Sequence, residues 1–348
     1  MSGQIRAAAE AAALEIANWN FGEAGASEAG VYPRSVAESG GDRAAMAKIG
    51  GERRLIVTGG GKLFQALAGE RGEAGGTAFK VCPLTHENRL ALNEAFEYTK
   101  PRAIGTQTAT IGLGDRLGLA SPGHIKTVRG RNIRPILAQQ SIRELNLTGR
   151  SYEDVLDAAA FAVFQEGYKD GWGADGDHLK TDRDIEYALR LGFSMLTLDA
   201  SEHIDGSAGA ADQAEIERRY GELDAAYRAR IEADYADKEF NAAGVPFSIK
   251  KSELMRYALV YGKAIAFMAD VYRRYIATAG QPIDFEISID ETATPTDPGA
   301  HWFVANELRR EGVVVYSMAP RFCGEFQKGI DYIGDIAQFE RELAVHAA

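Results

Sequence analysis

The feature that most constrains the fold is a regular alternation of short apolar runs with helical patterns. Apolar runs suited to single strands recur at residues 55–57, 79–82, 109–113, 135–138, 193–198, 285–289 and 313–316. Helical periodicity separates most of them, and repeated strand–helix steps are typical of a parallel sheet or barrel. The sequence therefore predicts an α/β fold with about eight strands once the segment near 172–174 is included, although the first run could lie outside the barrel.

Two of the helices have clear start and stop signals. One is predicted to begin at Thr181, with Asp184 as its capping partner, and to end at Gly192. The apolar run 193–198 follows at once, as a helix-to-strand step requires. An equivalent helix starts at Ser151. These signals support the alternation independently of hydrophobicity.

Composition shifts divide the chain into predicted parts. Residues 1–50 are rich in Ala, Gly, Glu and Ser and predict a short helix followed by an irregular segment, and residues 51–348 predict a barrel domain. The stretch of about 204–280 interrupts the alternation with charged and then apolar helical patterns. We interpret it as a helical insertion that packs on the outside, covers the active site or forms a homo-oligomer contact.

Charge and cysteine content exclude several classes of function. The net charge of -11 opposes binding to nucleic acid or to an anionic membrane. Two cysteines without a CxxC pair do not indicate a disulfide framework or a zinc motif. Neither a signal-peptide core nor a run of roughly 18 apolar residues is present, so the expected location is the cytoplasm.

The densest polar cluster runs from Asp175 to Lys180, just before a predicted helix start. If a strand ends near residues 172–174, this cluster is a loop at the carboxyl end of that strand. Asp177, His178 and Lys180 would then offer a carboxylate, an imidazole and a cation for proton transfer, metal binding and substrate binding. The alternative is a polar loop followed by a capped helix.

A second cluster extends from Phe285 to Thr292. Strand alternation places Glu286, Ser288 and Asp290 on one face. Two carboxylates facing a barrel interior are unfavourable unless they bind something, so this face is a candidate catalytic surface. The alternative is an exposed edge strand.

Further candidates lie near the ends of other predicted elements. Arg321 follows the run 313–316 and suits a substrate carboxylate, which a guanidinium binds through two parallel hydrogen bonds, or else it pairs with a protein carboxylate. His301, just ahead of a helical pattern, could reach the same mouth. Weaker candidates for substrate binding follow two other strands: Asp115, Arg116 and Gln139.

Five separated segments resemble the tagaturonate epimerase family: VCPLTHENRLALNEAF (81–96), IGLGDRLGLASPGH (111–124), GADGDHLKT (173–181), FEISIDET (285–292) and SMAPRFCGEFQKGIDYIGD (317–335). The resemblance implies a TIM-barrel-like (β/α)8 fold and a cytoplasmic enzyme of hexuronate metabolism that interconverts tagaturonate and fructuronate. It also implies a small sugar-acid substrate and a divalent metal cation such as Zn, Mn, Ni or Co.

The resemblance assigns roles to particular residues. It implies a metal-and-proton role for Asp177 and His178. From its position near the same mouth, His301 is a second candidate metal ligand. It implies catalytic or substrate-binding roles for Glu286 and Asp290, and which carboxylate is acid and which is base stays open. Because the two sugar acids differ at the carbinol β to the ketone, we expect retro-aldol cleavage and re-addition rather than enolisation.

The chain departs from the family pattern at one point. Family members continue with a further strand that carries a His-Ser-Gly-Ser-Asp-Lys segment, whereas this sequence finishes in the helical run 339–348. We therefore expect a barrel, and a metal site, that are incomplete at the C-terminus. Two other functions stay open: another metal-dependent ketose or keturonate aldolase or isomerase, and a truncated, non-catalytic relative that binds a sugar acid.

Overall fold

The computed structural model describes residues 3–21, 26–290, 294–327 and 329–348. The chain divides into two compact units. The first contains Met1–Asp177 and Tyr187–Met195, and the second contains His178–Glu186 and Leu196–Ala348.

The first unit begins with a helix packed on an antiparallel sheet. Its elements are α1 (Gly3–Ala17), β1 (Ala37–Ser39), β2 (Asp42–Ile49), β3 (Glu52–Thr58), α2 (Lys62–Ala66), β4 (Glu70–Ala74) and β5 (Thr77–Cys82). The strands lie in the order β1-β2-β3-β5-β4, and all neighbours are antiparallel. The apolar side of α1 shares one hydrophobic core with β2, β3 and β5.

The prediction of irregular structure up to residue 50 was wrong, because β2 is a strand. Ala45 and Ala47 face the core beneath α1, whereas Ala44 and Met46 face a second core on the opposite side of the sheet. A strand that is buried on both faces shows no polar alternation, and alanine favours helices over strands. For these two reasons, β2 was not predicted from the sequence.

The remainder of the first unit alternates strands and helices. Its elements are α3 (His86–Ala95), β6 (Thr110–Gly112), α4 (Ser121–Val128), β7 (Arg134–Ser141), α5 (Ile142–Thr148), α6 (Tyr152–Glu166) and β8 (Gly173–Leu179), of which the last two residues belong to the second unit. Strand β7 pairs in parallel with both β6 and β8. The carboxyl ends of these strands therefore share one edge of the sheet.

The predicted loop at residues 173–181 was wrong, since most of it is strand β8. Asp175 and Gly176 are poor strand formers, but tertiary pairing with β7 overrides that preference. The helix signals were right. Helix α7 (Asp182–Leu191) begins with a hydrogen bond from the Asp184 amide to Thr181 Oγ1, 3.2 Å long, and Gly192 follows it at φ 91°.

The second unit contains the remaining strands and helices. Its elements are β9 (Met195–Asp199, from Leu196 onward), α8 (Gly206–Ala210), α9 (Gln213–Gly221), α10 (Ala225–Tyr235), β10 (Lys238–Ala242), β11 (Val245–Ile249), α11 (Lys251–Val271), β12 (Asp284–Ile289), α12 (Pro298–Arg310), β13 (Ser317–Pro320) and α13 (Ile336–Ala347). Strand β12 lies between β9 and β13 and is parallel to β13.

Strand β13 lies later in the chain than predicted. The apolar run 313–316 is an extended link, in which Val314 is 70% exposed. The strand itself begins at Ser317 and carries small side chains, Ser317 and Ala319, on one face. The apolar run 313–316 therefore marks the segment that leads into β13 and not the strand itself.

The predicted helical insertion contains an unpredicted hairpin. Strands β10 and β11 pair antiparallel, and their two-residue turn, Ala243-Gly244, has positive φ at both positions. The rings of Phe240, Phe247 and Trp302 pack together, which fixes the hairpin against α12. The hairpin lacks the Asn-Gly or Asp-Gly signal and was therefore missed.

The α/β class was predicted correctly, and the described residues do not confirm a complete eight-stranded barrel. Two of the counted runs, 55–57 and 79–82, belong to the antiparallel sheet of the first unit. Within the described ranges, the parallel strands are β6, β7 and β8 in the first unit and β12 and β13 in the second. No helix in the described part of the chain is both long and apolar enough to cross a bilayer.

The glycine run at 59–61 binds a carboxylate of the protein itself. Asp42 is 1% exposed and accepts hydrogen bonds from the amides of Gly60 (2.9 Å), Gly61 (2.6 Å) and Phe64 (2.9 Å). Gly59 has φ 125°, and a side chain there would overlap Asp42. The loop is thus shaped around an internal anion and fixes the start of α2.

Replacement of Asp42 by alanine is expected to lower the free energy of unfolding by about 3 kcal/mol, because three amides would lose a charged acceptor. Urea denaturation followed by circular dichroism would measure the loss. Glu38→Ala removes a half-exposed carboxylate from β1 and should change stability by no more than about 0.5 kcal/mol. Equal effects in the two variants would contradict the role given to Asp42.

Candidate active site

In the first unit, polar side chains follow the carboxyl ends of β7 and β8. Gln139 pairs with Asp175 and Ser141 pairs with Asp177, so each pair lies on one face of the parallel sheet. Gln139 Nε2 lies 3.5 Å from Asp175 Oδ2, and Asp175 is fully buried. The predicted residues Gln139 and Asp177 are therefore on neighbouring strands of the same sheet edge.

Arg116 extends this polar edge. Its guanidinium forms an ion pair with Glu144, a carboxylate that also accepts the Ser141 amide in the capping box of α5. The hydrogen bond to Glu144 is the main cause of a raised Arg116 pKa, and the nearby charge of Asp177 adds to it. Arg116 and Asp177 thus influence each other electrostatically.

The carboxylate of Asp115 is hydrogen-bonded within the protein. It accepts hydrogen bonds from the amides of Leu119 (2.9 Å), Ala120 (2.8 Å) and Ser121 (2.8 Å), and from the Ser121 hydroxyl (2.8 Å). Burial alone would raise the pKa of Asp115, but these hydrogen bonds lower it overall. The side chain organises the start of α4, and its predicted role in substrate binding stays a prediction.

His178 is held in an unusual backbone conformation near the end of β8. Its φ is 55°, in the left-handed region that residues other than glycine rarely adopt. Such strain is concentrated at functional sites, because the surrounding structure must be stable enough to maintain it. The conformation also interrupts the strand alternation at His178, and its role as a metal ligand stays a prediction.

In the second unit, Lys180 is held by groups that follow β9. Its Nζ lies 3.2 Å from Asp199 Oδ2 and donates to Ser201 Oγ at 3.1 Å. Asp199 is 2% exposed, and its Oδ1 accepts the Ser201 amide at 2.8 Å. Burial acts to raise the pKa of Asp199, but the bonds from Ser201 and the Lys180 charge lower it overall. Lys180 is therefore a positioned cation beside an ionised carboxylate.

Glu286 lies on β12, and Asp290 is the first residue after the strand, which ends at Ile289. Thr197 Oγ1 on β9 donates to Glu286 Oε1 at 3.1 Å, and Ser317 Oγ on β13 donates to Oε2. Ser288 Oγ donates to Asp290. Glu291 and Thr292, which complete the predicted cluster, lie outside the described residues.

Arg321 follows β13 with a fixed backbone. Its amide donates to Thr296 Oγ1 at 3.2 Å, and its carbonyl accepts the Thr296 amide at 2.7 Å. Within the ranges that the structure describes, the guanidinium has no hydrogen bond or ion pair. A guanidinium carries five donors, which suit the two oxygens of a carboxylate, and the role of Arg321 in substrate binding stays a prediction.

His301 contacts another histidine. Its Nδ1 lies 2.9 Å from Nδ1 of His346, on α13. Burial, reinforced by His346, lowers the pKa of His301 to about 4. The imidazole is therefore neutral at pH 7. Over the described residues, no three side chains among His, Cys, Asp and Glu are grouped as a metal site.

The hydroxyl groups that support the site were not predicted from the sequence. Thr197, Ser201 and Ser317 contact Glu286 or Lys180, yet single Thr and Ser residues in a strand carry no sequence signal of their own. A partial signal existed for Thr197, because it alternates with Asp199 along β9.

The parallel strands, with polar side chains at their carboxyl ends, define an α/β protein with an enzyme-like site. A sequence profile described as UxaE, tagaturonate epimerase, matches residues 32–348. The chain therefore belongs to the tagaturonate epimerase family.

Two relatives illustrate the similarity. The tagaturonate/fructuronate epimerase of Thermotoga maritima is 41% identical over 297 residues, which is 85% of this chain and 61% of the relative. The native crystal structure of fructuronate-tagaturonate epimerase UxaE from Cohnella laeviribosi is 60% identical, with a TM-score of 0.88 over 91% of this chain and 64% of that chain. A glycerol complex of the Cohnella protein gives the same values. The chain thus spans less than two thirds of the length of these relatives.

Replacement of Asp115 by alanine tests its structural role. We expect a loss of about 2–3 kcal/mol of stability at pH 7, because four hydrogen bonds to an ionised carboxylate disappear. The folded pKa of Asp115 is lowered, so its contribution is complete above the unfolded value near 4 and is lost as the pH falls through the folded value. Urea titrations from pH 3 to 8 measure this dependence.

The exposed Asp170 provides the matched control, and Asp170→Ala should change stability by no more than about 0.5 kcal/mol. A destabilisation by Asp115→Ala that does not change with pH would contradict the role of the ionised carboxylate. A variant of unchanged stability that loses affinity for a sugar acid would instead support the role in substrate binding.

Proposed function

We propose that this chain contributes to an epimerase that interconverts tagaturonate and fructuronate. The observation that carries the proposal is the 60% identity to a solved fructuronate-tagaturonate epimerase over 91% of this chain. The polar strand ends support it, because they offer the carboxylates and cations that a sugar acid requires.

The chemistry of the two sugar acids favours cleavage and re-addition. They differ at the carbinol carbon β to the ketone, whose hydrogen is not acidified by the carbonyl. A carboxylate of the enzyme takes the hydroxyl proton, the bond between the α and β carbons breaks, and its electron pair forms an enediolate at the ketone. The resulting aldehyde turns over, the bond re-forms on its other face, and the proton returns to the new hydroxyl.

The second unit provides groups for these steps. Glu286 and Asp290 are the proposed proton-transfer residues, and Lys180 and Arg321 are proposed to bind the substrate carboxylate. Lys180 is already fixed by Asp199, so it can attract an anion without first becoming ordered. In the first unit, Asp177 is a further proton-transfer candidate, and Arg116 and Gln139 are candidates for hydroxyl contacts.

A divalent metal is proposed as the cofactor, with His178 and His301 as candidate ligands. The described residues do not provide a three-ligand group, so the donor set does not fit a complete metal site and no chemical step is assigned to the metal. Metal analysis of the chain after dialysis against Mn²⁺, Ni²⁺ or Zn²⁺ tests the proposal. Retention of metal by the wild type and its loss in His178→Ala would support it.

The reaction itself is tested with fructuronate that carries deuterium at the inverting carbon. We expect tagaturonate to form with the label retained, because that carbon keeps its hydrogen as the aldehyde. Nuclear magnetic resonance of the products in ordinary water measures both conversion and label. Washout of deuterium would exclude the retro-aldol route, and turnover of a different ketose in a substrate panel would favour another aldolase or isomerase.

Replacement of Glu286 by glutamine is expected to lower kcat by at least about 100-fold, because the amide does not accept a proton at neutral pH. Steady-state kinetics in both directions measure the change. Glu239→Gln makes the same substitution at an exposed position on β10 and should leave kcat unchanged. Retained activity in Glu286→Gln would remove Glu286 from the proton-transfer pathway.

A further inference from the structure

Glu286 is distinguished by how its charge is supported. Both carboxylate oxygens accept a hydrogen bond, one from Thr197 on β9 and one from Ser317 on β13. Glu286 and Ser317 are paired in register, so the two strands fix the positions of both groups. The carboxylate is therefore held from each side by a neighbouring strand.

Two buried carboxylates of the second unit, Glu307 and Asp199, are neutralised by cations. Glu307 is 4% exposed. It accepts hydrogen bonds from both terminal nitrogens of Arg230, at 2.8 and 2.5 Å, and from the Tyr235 hydroxyl at 2.9 Å. Asp199 has Lys180 as its partner. In the part of the chain that the structure describes, no cation pairs with Glu286, and its two hydrogen-bond donors are neutral hydroxyls.

This support leaves part of the Glu286 carboxylate open to another hydrogen-bond donor. Two hydroxyl bonds use two of about four lone-pair positions on the carboxylate, so the others stay open to a substrate hydroxyl. A cation would hold the carboxylate in its charged form and oppose proton uptake, whereas hydroxyls orient it with less opposition. The arrangement fits a proton acceptor better than it fits a structural ion pair.

We infer that Thr197 and Ser317 are positioning residues that hold the two carboxylate oxygens of Glu286, the residue proposed above to take the substrate hydroxyl proton. In the proton transfer, the substrate O–H bond breaks and the proton bonds to a carboxylate oxygen of Glu286. The same proton returns when the carbon–carbon bond re-forms. The inference rests on the proposed epimerase reaction for its catalytic part.

Two pairs of substitutions test the positioning residues. Thr197→Val and Ser317→Ala remove the hydroxyls, whereas Thr197→Ser and Ser317→Thr retain them. We expect each removal to lower kcat about tenfold with KM nearly unchanged, because one well-placed hydrogen bond to the base is lost. The hydroxyl-retaining variants should recover most of kcat. Ser248→Ala, at an exposed position on β11, is the matched control.

A second readout does not depend on activity. In the full chain labelled with ¹³C at the glutamate carboxyl, Glu286→Gln identifies the Glu286 resonance by its loss. That resonance should shift in Thr197→Val and in Ser317→Ala but stay in place in Thr197→Ser and Ser248→Ala. An unmoved resonance in both hydroxyl-removing variants would overturn the positioning contacts.

The two readouts separate the possible failures. If the wild type does not convert either keturonate, the proposed function fails, and the carboxyl resonance alone decides whether Thr197 and Ser317 hold Glu286. If the wild type is active but kcat does not change in the hydroxyl-removing variants, the positioning role is overturned. Loss of kcat that Thr197→Ser does not recover would mean a packing role for Thr197 and would also overturn the inference.

Discussion

An ionised carboxylate that is removed from water needs hydrogen-bond donors or a cation within the protein, and this requirement organises much of the chain. Asp42 orders the glycine loop before α2, and Asp115 orders the start of α4. Glu307 joins α10 to α12 through Arg230. In each case a buried anion determines where neighbouring backbone or side chains lie, so these carboxylates are committed to the fold.

The same requirement distinguishes the candidate site from the structural carboxylates. Glu286 and Asp290 are supported by hydroxyl groups, which orient a carboxylate without neutralising it. Lys180 is a cation whose position is fixed by Asp199. The polar face of the second unit therefore combines oriented anions with a fixed cation. That combination suits a substrate that carries both hydroxyls and a carboxylate.

Elements whose structure depends on local interactions were predicted from the sequence, and elements whose structure depends on tertiary contacts were not. Helix α7 was bounded correctly because its capping groups are local, and the strand that carries Glu286 was identified from its apolar run. Strands β2 and β8 were missed because tertiary burial and pairing override weak local preference. The support from Thr197 and Ser317 depends on strand register, and register between distant segments is not encoded in any short stretch of sequence.

The pairing of β7 with β8 contains one irregularity, between Ile136 and Ala138, where β7 has an extra residue. Beyond that bulge, Gln139 faces the same side as Asp175, and Ser141 the same side as Asp177. If β7 paired with β8 without this bulge, Ala138 would lie opposite Asp175 and Gln140 opposite Asp177, because a one-residue slip exchanges the two faces of a strand. The bulge therefore absorbs a change in strand length before it reaches the polar end.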